Sequence, residues 1–204
     1  MAIDGAVSLI VKQGVGGLLF SQVAKRAQTA QGSLYQFFAS RDDLLIALHE
    51  RYATLPEAVA CEAEAAFADL GTKAAPRDLV RLLLNPMAEL YLLHPAYREI
   101  RRDKTRGNPT NLRKESVDDL IVTVKGRMLR HLAPALSDTR ARLVSSVMPD
   151  TGDALLSRMA SGEGSENTII LTEAQVMLEA YLIRAIETSG GRAPRGKRAS
   201  GFGS

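Results

Sequence analysis

The apolar residues of this chain recur every three or four positions, and no segment alternates apolar and polar residues with a period of two. Spacing of three and four places side chains on one face of an α-helix, whereas a half-buried β-strand requires alternation. We therefore predict an all-α fold of about nine or ten helices. The most regular apolar stripe lies near the end of the chain and consists of Ile170, Ala174, Met177, Leu178, Tyr181, Leu182 and Ala185.

The predicted helices fall into a short group and a long group. The first three are short and cover residues 3–13, 20–27 and 31–37, and the longer ones follow from Arg41 onward. This difference predicts a small N-terminal domain (residues 1–48) and a larger helical body (residues 49–189). Residues 190–204, "GGRAPRGKRASGFGS", are polar and rich in Gly and Arg, so we expect a disordered basic tail.

Three prolines interrupt the later helical patterns. We expect a helix end near Pro56, followed by an alanine-rich helix at 57–70, because proline removes a backbone donor and disfavours the helix before it. Pro86 is expected to kink or split the helix at 77–94. Pro149 leaves residues 138–160 as two helices or one bent helix. Residues 106–111 and 162–167 are predicted loops.

Composition narrows the class of protein. The chain is 46% hydrophobic and 24% charged, with a net charge of +3 and one cysteine, Cys61. No apolar run reaches the ~18–20 residues that a transmembrane helix needs, and the first residues lack the basic leader of a signal peptide. These features predict a cytoplasmic protein without disulfides.

The sequence offers no catalytic or metal-binding pattern. His49, His94 and His131 are scattered, with no carboxylate or cysteine at the spacing of metal ligands. Asp42 and Asp43 are adjacent, so on a helix their carboxylates diverge and do not form an acid–base pair. We expect no enzyme activity, no metal and no cofactor.

The three short helices have the size and order of a helix-turn-helix DNA-binding domain, in which the third helix enters the major groove. In the stretch "TAQGSLYQFFASRDDLL", Leu34 and Phe38 are four positions apart and are expected to face the other helices. Gln31, Ser33, Gln36 and Phe37 then face outward. Gln pairs with the major-groove edge of adenine, and Ser bonds to bases or phosphate.

Three further residues suit contact with DNA. Gly32 carries no side chain, so the backbone there allows close approach of a DNA strand. The Tyr35 hydroxyl and the Arg41 guanidinium are suited to phosphate.

At these positions the segment from Ile3 to Leu48 resembles the DNA-binding domain of the TetR (tetracycline-repressor-type) transcriptional regulators. The resemblance rests on Val23-Ala24, on "GSLYQFF" at 32–38 and on "SRDDLL" at 40–45. It implies a ligand-responsive regulator, most often a repressor, that binds a palindromic operator in double-stranded DNA as a homodimer. The DNA-binding set is then Ser21, Gln31, Gly32, Ser33, Tyr35, Gln36, Phe37 and Arg41.

The resemblance also implies a small-molecule pocket and a dimer interface in the helical body. Aromatic, polar and flexible groups mix in residues 83–98, which makes Leu83, Met87, Tyr91, His94 and Tyr97 the pocket candidates. The stripe near the end of the chain suits either the core or a dimer seam. Because a palindromic site requires two-fold symmetry, we favour the seam, formed by Ala174, Met177, Leu178, Tyr181, Leu182 and Ala185.

One alternative remains open. Leu19 and Ala30 stand where the family places helix-capping side chains, and Gln28 stands where it places glycine. The usual basic arm before the first helix is also missing. These departures motivate a helical ligand- or protein-binding module that keeps the fold but has lost DNA recognition.

Overall fold

The structure is a computed structural model, which describes residues 2–105, 114–159 and 164–189. These residues form nine α-helices and no strand, which confirms the predicted all-α class. The helices are α1 (Ala2–Gln13), α2 (Phe20–Arg26), α3 (Gln31–Phe37), α4 (Arg41–Asp69), α5 (Pro76–Leu93), α6 (Pro95–Thr105), α7 (Lys114–Leu132), α8 (Asp138–Met159) and α9 (Gly164–Glu187).

The first three helices pack against one another through apolar residues that belong to the same core as those of the later helices. Ile10 of α1, Val23 of α2 and Leu34 of α3 are almost completely buried. A single turn of 3-10 helix, Val15–Gly17, joins α1 to the segment before α2. We refer to α1–α3 and the start of α4 as the head.

Helix α4 runs without interruption through Pro56, so the predicted helix end near that residue was wrong. An interior proline costs about 3 kcal/mol because it removes one backbone hydrogen bond. The buried stripe nevertheless continues beyond it, through Ala60, Ala63 and Phe67. Burial of a single large apolar side chain contributes about 1.5–3 kcal/mol, so packing along the whole helix outweighs the proline.

The other two prolines also stay inside continuous helices, Pro86 in α5 and Pro149 in α8. Residues 164–167 belong to α9 and were wrongly predicted as loop. The predicted loop at 106–111 and the predicted disordered tail at 190–204 lie outside the described residues.

The long helices form the body. Helix α4 packs against α5 and α7, α8 packs against α7 and α9, and α5 packs against α9. Helix α6 lies between the two parts of the molecule, since it contacts α1 of the head and α8 of the body. Among the described helices, none is both long and apolar enough to cross a membrane.

Candidate nucleic-acid interface and ligand cavity

Helix α3 has one buried face and one exposed face. Leu34 is 1% exposed, and Phe38, just beyond the helix, packs against the same core, as the spacing predicted. On the other side Gln31, Gly32, Gln36 and Phe37 are exposed, while Ser33 is half-buried. Phe37 is 77% exposed, which is unusual for a large aromatic side chain. The outward face of α3 therefore presents two amides and an apolar ring to any partner.

Tyr35 sits at the edge of this exposed face. Its ring lies against the ring of Phe20 on α2, with 4.8 Å between centroids, yet 53% of the residue is exposed. The contact fixes the ring direction, because paired aromatic rings at such distances attract each other. Tyr35 is thus a pre-positioned hydroxyl on the head surface. Ser21, in the first turn of α2, is exposed as well.

Gly32 is a glycine that the protein's own packing does not require. A Cβ at this position would meet no atom within 4 Å, and its φ lies outside the left-handed region. Glycine inside a helix costs about 1 kcal/mol relative to alanine. The absence of a side chain therefore leaves room on the outside of the head.

The turn between α2 and α3 is a Schellman motif with glutamine in the glycine position. Gln28 has a φ of 52°, in the left-handed region that favours glycine. The amide of Thr29 donates to the carbonyl of Ala24 at 3.0 Å, and the amide of Gln28 donates to that of Lys25 at 3.4 Å. The turn therefore forms the left-handed helix end of this motif, despite a residue that disfavours its backbone conformation.

Neither α2 nor α3 begins with a side-chain cap. Leu19 precedes α2 and Ala30 precedes α3, and neither forms a side-chain capping hydrogen bond. Helix α4, in contrast, begins with a capping box. The Ser40 amide donates to the Asp43 carboxylate at 2.8 Å, and the Asp43 amide donates to the Ser40 hydroxyl at 3.2 Å. Sequence reasoning missed this role of Asp43, although the Ser-x-x-Asp spacing signals it.

Arg41 has a contact within the head that the sequence did not predict. Its Nη2 donates to the carbonyl oxygen of Val15 at 2.7 Å, which ties the start of α4 to the 3-10 turn. The side chain is partly buried in this position. The sequence predicts a phosphate contact for Arg41, and in the structure this side chain also positions the start of α4 on the head.

A cavity of about 240 Å³ lies in the body, between α4, α5, α6, α7, α8 and α9. Its wall is mainly aliphatic, and Pro56 and Pro149 both belong to it. Three of the five candidates from the sequence, Leu83, Met87 and Tyr97, line this cavity. Tyr91 and His94 are not among its lining residues.

Tyr91 lies behind the cavity wall and supports a charged pair on it. Arg101 of α6 and Asp153 of α8 line the cavity and form an ion pair, and the Tyr91 hydroxyl donates to the Asp153 carboxylate at 2.8 Å. Burial, with the adjacent Asp153 charge, holds the pKa of Tyr91 well above its usual range. The tyrosine therefore stays a hydrogen-bond donor. The other candidate outside the cavity, His94, is the C-cap of α5, and its ring centroid is 6.0 Å from that of Tyr52.

The predicted dimer seam needs correction. Ala174, Leu178, Leu182 and Ala185 are at most 4% exposed, because their side of α9 packs into the core of the same chain. A side chain buried in its own chain cannot meet a partner. Tyr181 is half-buried against that core, and Met177 is 47% exposed. The stripe is therefore mainly core, which was the other reading of its spacing.

The exposed apolar residues of the last two helices share only Met177 with the predicted seam. On α9 they are Ile169, Val176 and Met177, and on α8 they are Leu143 and Val147. Their exposed fractions range from 37% to 62%. We call these five residues the outer apolar face.

A helix-turn-helix head carried on a helical body with an apolar cavity is the architecture of a transcriptional regulator. The family comparison agrees. Residues 2–48 match the bacterial regulatory proteins of the tetR family, and residues 76–182 match the tetracyclin repressor-like C-terminal domain. The chain belongs to the TetR family of transcriptional regulators.

Solved structures share the fold. A TetR-like transcriptional regulator from Rhodococcus sp. RHA1 has a TM-score of 0.63 at 20% identity, covering 91% of this chain and 93% of that one. The fatty acid degradation regulator FadR from Bacillus halodurans has a TM-score of 0.64 at 18% identity, covering 87% and 92%. FadR from Bacillus subtilis, in complex with stearoyl-CoA, has a TM-score of 0.57 at 19% identity, covering 91% and 97%. Among curated proteins, no sequence matches.

Proposed function

We propose that this protein is a cytoplasmic transcriptional repressor that binds a palindromic operator as a homodimer and is released by a small-molecule effector. The observation that carries the proposal is the outward face of α3. It combines exposed amides with Gly32, whose missing side chain serves no contact within the protein. Such a face suits base edges in a major groove.

The head supplies the groups that set register on the duplex. Tyr35 is exposed on α3 with its ring against Phe20, and Ser21 is exposed on α2. Lys25 and Arg26 lie in the last turn of α2, and both are exposed. Side chains of these types bond to phosphate oxygens and so fix orientation, while the amides of Gln31 and Gln36 supply base recognition.

Dimerisation is assigned to the outer apolar face. Five large apolar side chains are exposed on α8 and α9, two helices that pack against each other, and exposed apolar surface of this kind suits an interface. A dimer that binds a palindromic operator requires two copies of α3 in successive major grooves, about 34 Å apart.

Helix α6 connects the cavity to the head. Tyr97 and Arg101 of this helix line the cavity. Glu99, on the same helix, faces the end of α1 in the head, where its carboxylate lies 3.9 Å from the position that a Cβ at Gly14 would occupy. An effector that prefers one position of α6 therefore shifts the population of head positions. Reciprocally, operator DNA weakens effector binding by the same factor.

The test is selection of bound sequences from a random duplex library with the full chain. We expect enriched sites with two-fold symmetry, half-sites about ten base pairs apart, and affinity that falls steeply with salt. Gln36→Ala is expected to weaken the selected site by about 1–3 kcal/mol and to relax one base position. Arg81→Ala, an exposed position on α5 in the body, is the matched control.

Failure to enrich any symmetric site would show that this chain does not recognise a palindromic operator. The helical ligand- or protein-binding module would then be the remaining function. Enrichment with no response to Gln36→Ala would place base recognition elsewhere on the head.

A further inference from the structure

We propose that Phe37 is a specificity-determining residue, which contacts the 5-methyl group of a thymine, and that α3 recognises A·T base pairs in each half-site of the operator. The inference rests on the proposed function, because it names the class of base pair that the same face of α3 reads.

Phe37 is unusually exposed. Among the described residues it has the largest exposed fraction of any large apolar side chain, 77%, whereas the next residue, Phe38, packs against the core. Single exposed apolar side chains are common on protein surfaces, and what distinguishes this one is its place on α3. In a helix-turn-helix domain this helix enters the major groove, where thymine presents its methyl group.

Small residues surround the ends of the outward-facing side chains. A helical side chain leans toward the N-terminus, over the residue four positions earlier. For Phe37 that residue is Ser33, and for Gln36 it is Gly32, where even a Cβ would meet no atom within 4 Å. No bulky side chain of the preceding turn therefore covers the ring or the amide, and both are open to the edge of a base pair.

Helix α3 carries no charged side chain, since its seven residues are QGSLYQF. In the major groove, Arg and Lys pair with guanine, and Asp and Glu accept a hydrogen bond from cytosine. Gln pairs with adenine, and an apolar group such as the Phe ring contacts the thymine methyl group. Ser bonds to either kind of pair. The side chains of α3 thus suit A·T pairs, and those that select G·C pairs are missing from it.

The two arginines that flank α3 in the sequence have partners within the head. Arg26 of α2 donates a hydrogen bond to the Ser8 hydroxyl on α1, and Arg41 of α4 donates to the carbonyl of Val15. Lys25 is exposed in the last turn of α2. The helix before the recognition helix crosses the DNA backbone, so Lys25 suits phosphate and not guanine.

The test replaces each thymine of the selected operator by deoxyuridine, which lacks only the 5-methyl group. Fluorescence titration with the full chain measures the affinity for each duplex. We expect one thymine of the half-site to respond, with a loss of about fourfold for each methyl contact, or ~0.8 kcal/mol. Because contributions of well-separated positions add, replacement in both half-sites is expected to weaken binding about fifteenfold.

Variants at Phe37 identify the side chain that contacts this methyl group. Phe37→Ala is expected to weaken binding to the thymine operator at least about fifteenfold and to bind the thymine and uracil operators equally. Val11→Ala is the matched control, because Val11 is an apolar residue of the head that is 48% exposed on α1. It is expected to keep the full difference between the two operators. Thermal unfolding of both variants checks that the fold is intact.

Methylated cytosine separates the methyl group from the identity of the base pair. 5-Methylcytosine carries a methyl group at the same ring position within a G·C pair. At the responsive position in both half-sites, we expect the methylated pair to bind the original chain about fifteenfold more tightly than the unmethylated pair. Phe37→Ala is expected to bind the two equally.

Two outcomes would overturn the inference and leave operator recognition intact. In the first, the affinity for the selected operator depends on no thymine methyl group. In the second, the uracil effect persists in Phe37→Ala, which would assign the methyl contact to another residue. Enrichment of no symmetric site would instead overturn the inference together with the proposed function, so the two failures are distinguishable.

Discussion

The hydroxyl of Tyr91 on α5 donates a 2.8 Å hydrogen bond to the carboxylate of Asp153 on α8, which also pairs with Arg101 on α6. One buried acid thus joins three helices at the wall of the cavity. Because Asp153 is only 8% exposed, each partner offsets part of the free energy needed to remove its charge from water.

Removing the Tyr91 hydroxyl is expected to destabilise the body. Tyr91→Phe deletes a hydrogen bond to a buried carboxylate, so we expect the free energy of unfolding to fall by about 1.5–3 kcal/mol in urea denaturation. Tyr35→Phe, at an exposed tyrosine of the head, is the control and is expected to change it by less than about 0.5 kcal/mol. Equal effects of the two substitutions would contradict the role of the Asp153 cluster.

Replacing Gln28 by glycine is expected to stabilise the head. The φ of 52° is strained for glutamine and relaxed for glycine, so Gln28→Gly is expected to raise the free energy of unfolding by about 0.5–1 kcal/mol. Gln36→Gly makes the same chemical change inside α3 and is expected to lower it by about 0.5–1 kcal/mol. Thermal unfolding of both variants measures the change in stability, which we expect to be positive for Gln28→Gly and negative for Gln36→Gly.

Gly32→Ala separates stability from DNA binding. A methyl group at this position meets nothing in the protein, so the helix gains about 1 kcal/mol in stability. If a DNA strand approaches the backbone there, the same methyl group lowers operator affinity by at least about 1.4 kcal/mol, which is tenfold. Unchanged affinity in a fluorescence titration against the selected operator would show that DNA does not come close to Gly32.

Charge on the outer apolar face is expected to produce monomers. Met177→Glu places a carboxylate among the exposed apolar residues of α8 and α9, so an interface there would bury an unpaired charge. Sedimentation velocity is expected to show a dimer for the original chain and a monomer for the variant. Leu93→Glu, at a leucine of α5 that is 72% exposed, is the control and is expected to remain a dimer. A monomeric Leu93→Glu would place the interface elsewhere.

The ion pair between Glu64 on α4 and Arg127 on α7 makes stability depend on pH. A hydrogen bond from Arg127, at 2.6 Å between Nη2 and Oε2, holds the pKa of Glu64 below its usual 4.5. A lowered folded-state pKa gives stabilisation that is present above pH 4.5 and is lost as the pH falls below it. Because both side chains are partly exposed, the pair contributes at most about 1 kcal/mol.

Arg127→Gln is therefore expected to be less stable than the original chain at pH 7, and the difference in stability is expected to be smaller at pH 3. Urea unfolding at the two pH values measures the difference. Arg81→Gln removes an exposed arginine of α5 for which the described residues show no ion pair, and no pH-dependent difference is expected from it. A constant gap between Arg127→Gln and the original chain would mean that Glu64 is not the titrating group.

The three short helices were predictable almost to the residue, because their order depends on local signals. Gly14 ends the first helical pattern, the "QTA" turn separates the second and third, and Leu34 and Phe38 define the inward side of α3. Exposure of Gln36 and Phe37 follows from the same spacing. The bond from Arg41 to Val15 was not predictable, since it joins residues 26 positions apart.

The long helices were predicted less well from the sequence. Proline predicted an end in α4, a kink or a split in α5, and two helices or one bent helix at α8. All three helices continue through their prolines, because their buried stripes pack against several neighbours at once. The spacing of the α9 stripe suited a core or a seam and symmetry favoured the seam, whereas the packing of α9 on α5 and α8 decided for the core.

By itself the sequence determined the all-α class, the helix-turn-helix head and the family, because periodicity and short motifs are local properties of a chain. The tertiary structure alone decided which apolar face is exposed, where the cavity lies and which acid joins its walls. Those features depend on contacts between residues far apart in the chain, such as Tyr91 with Asp153, 62 positions apart, and no local pattern encodes such a contact.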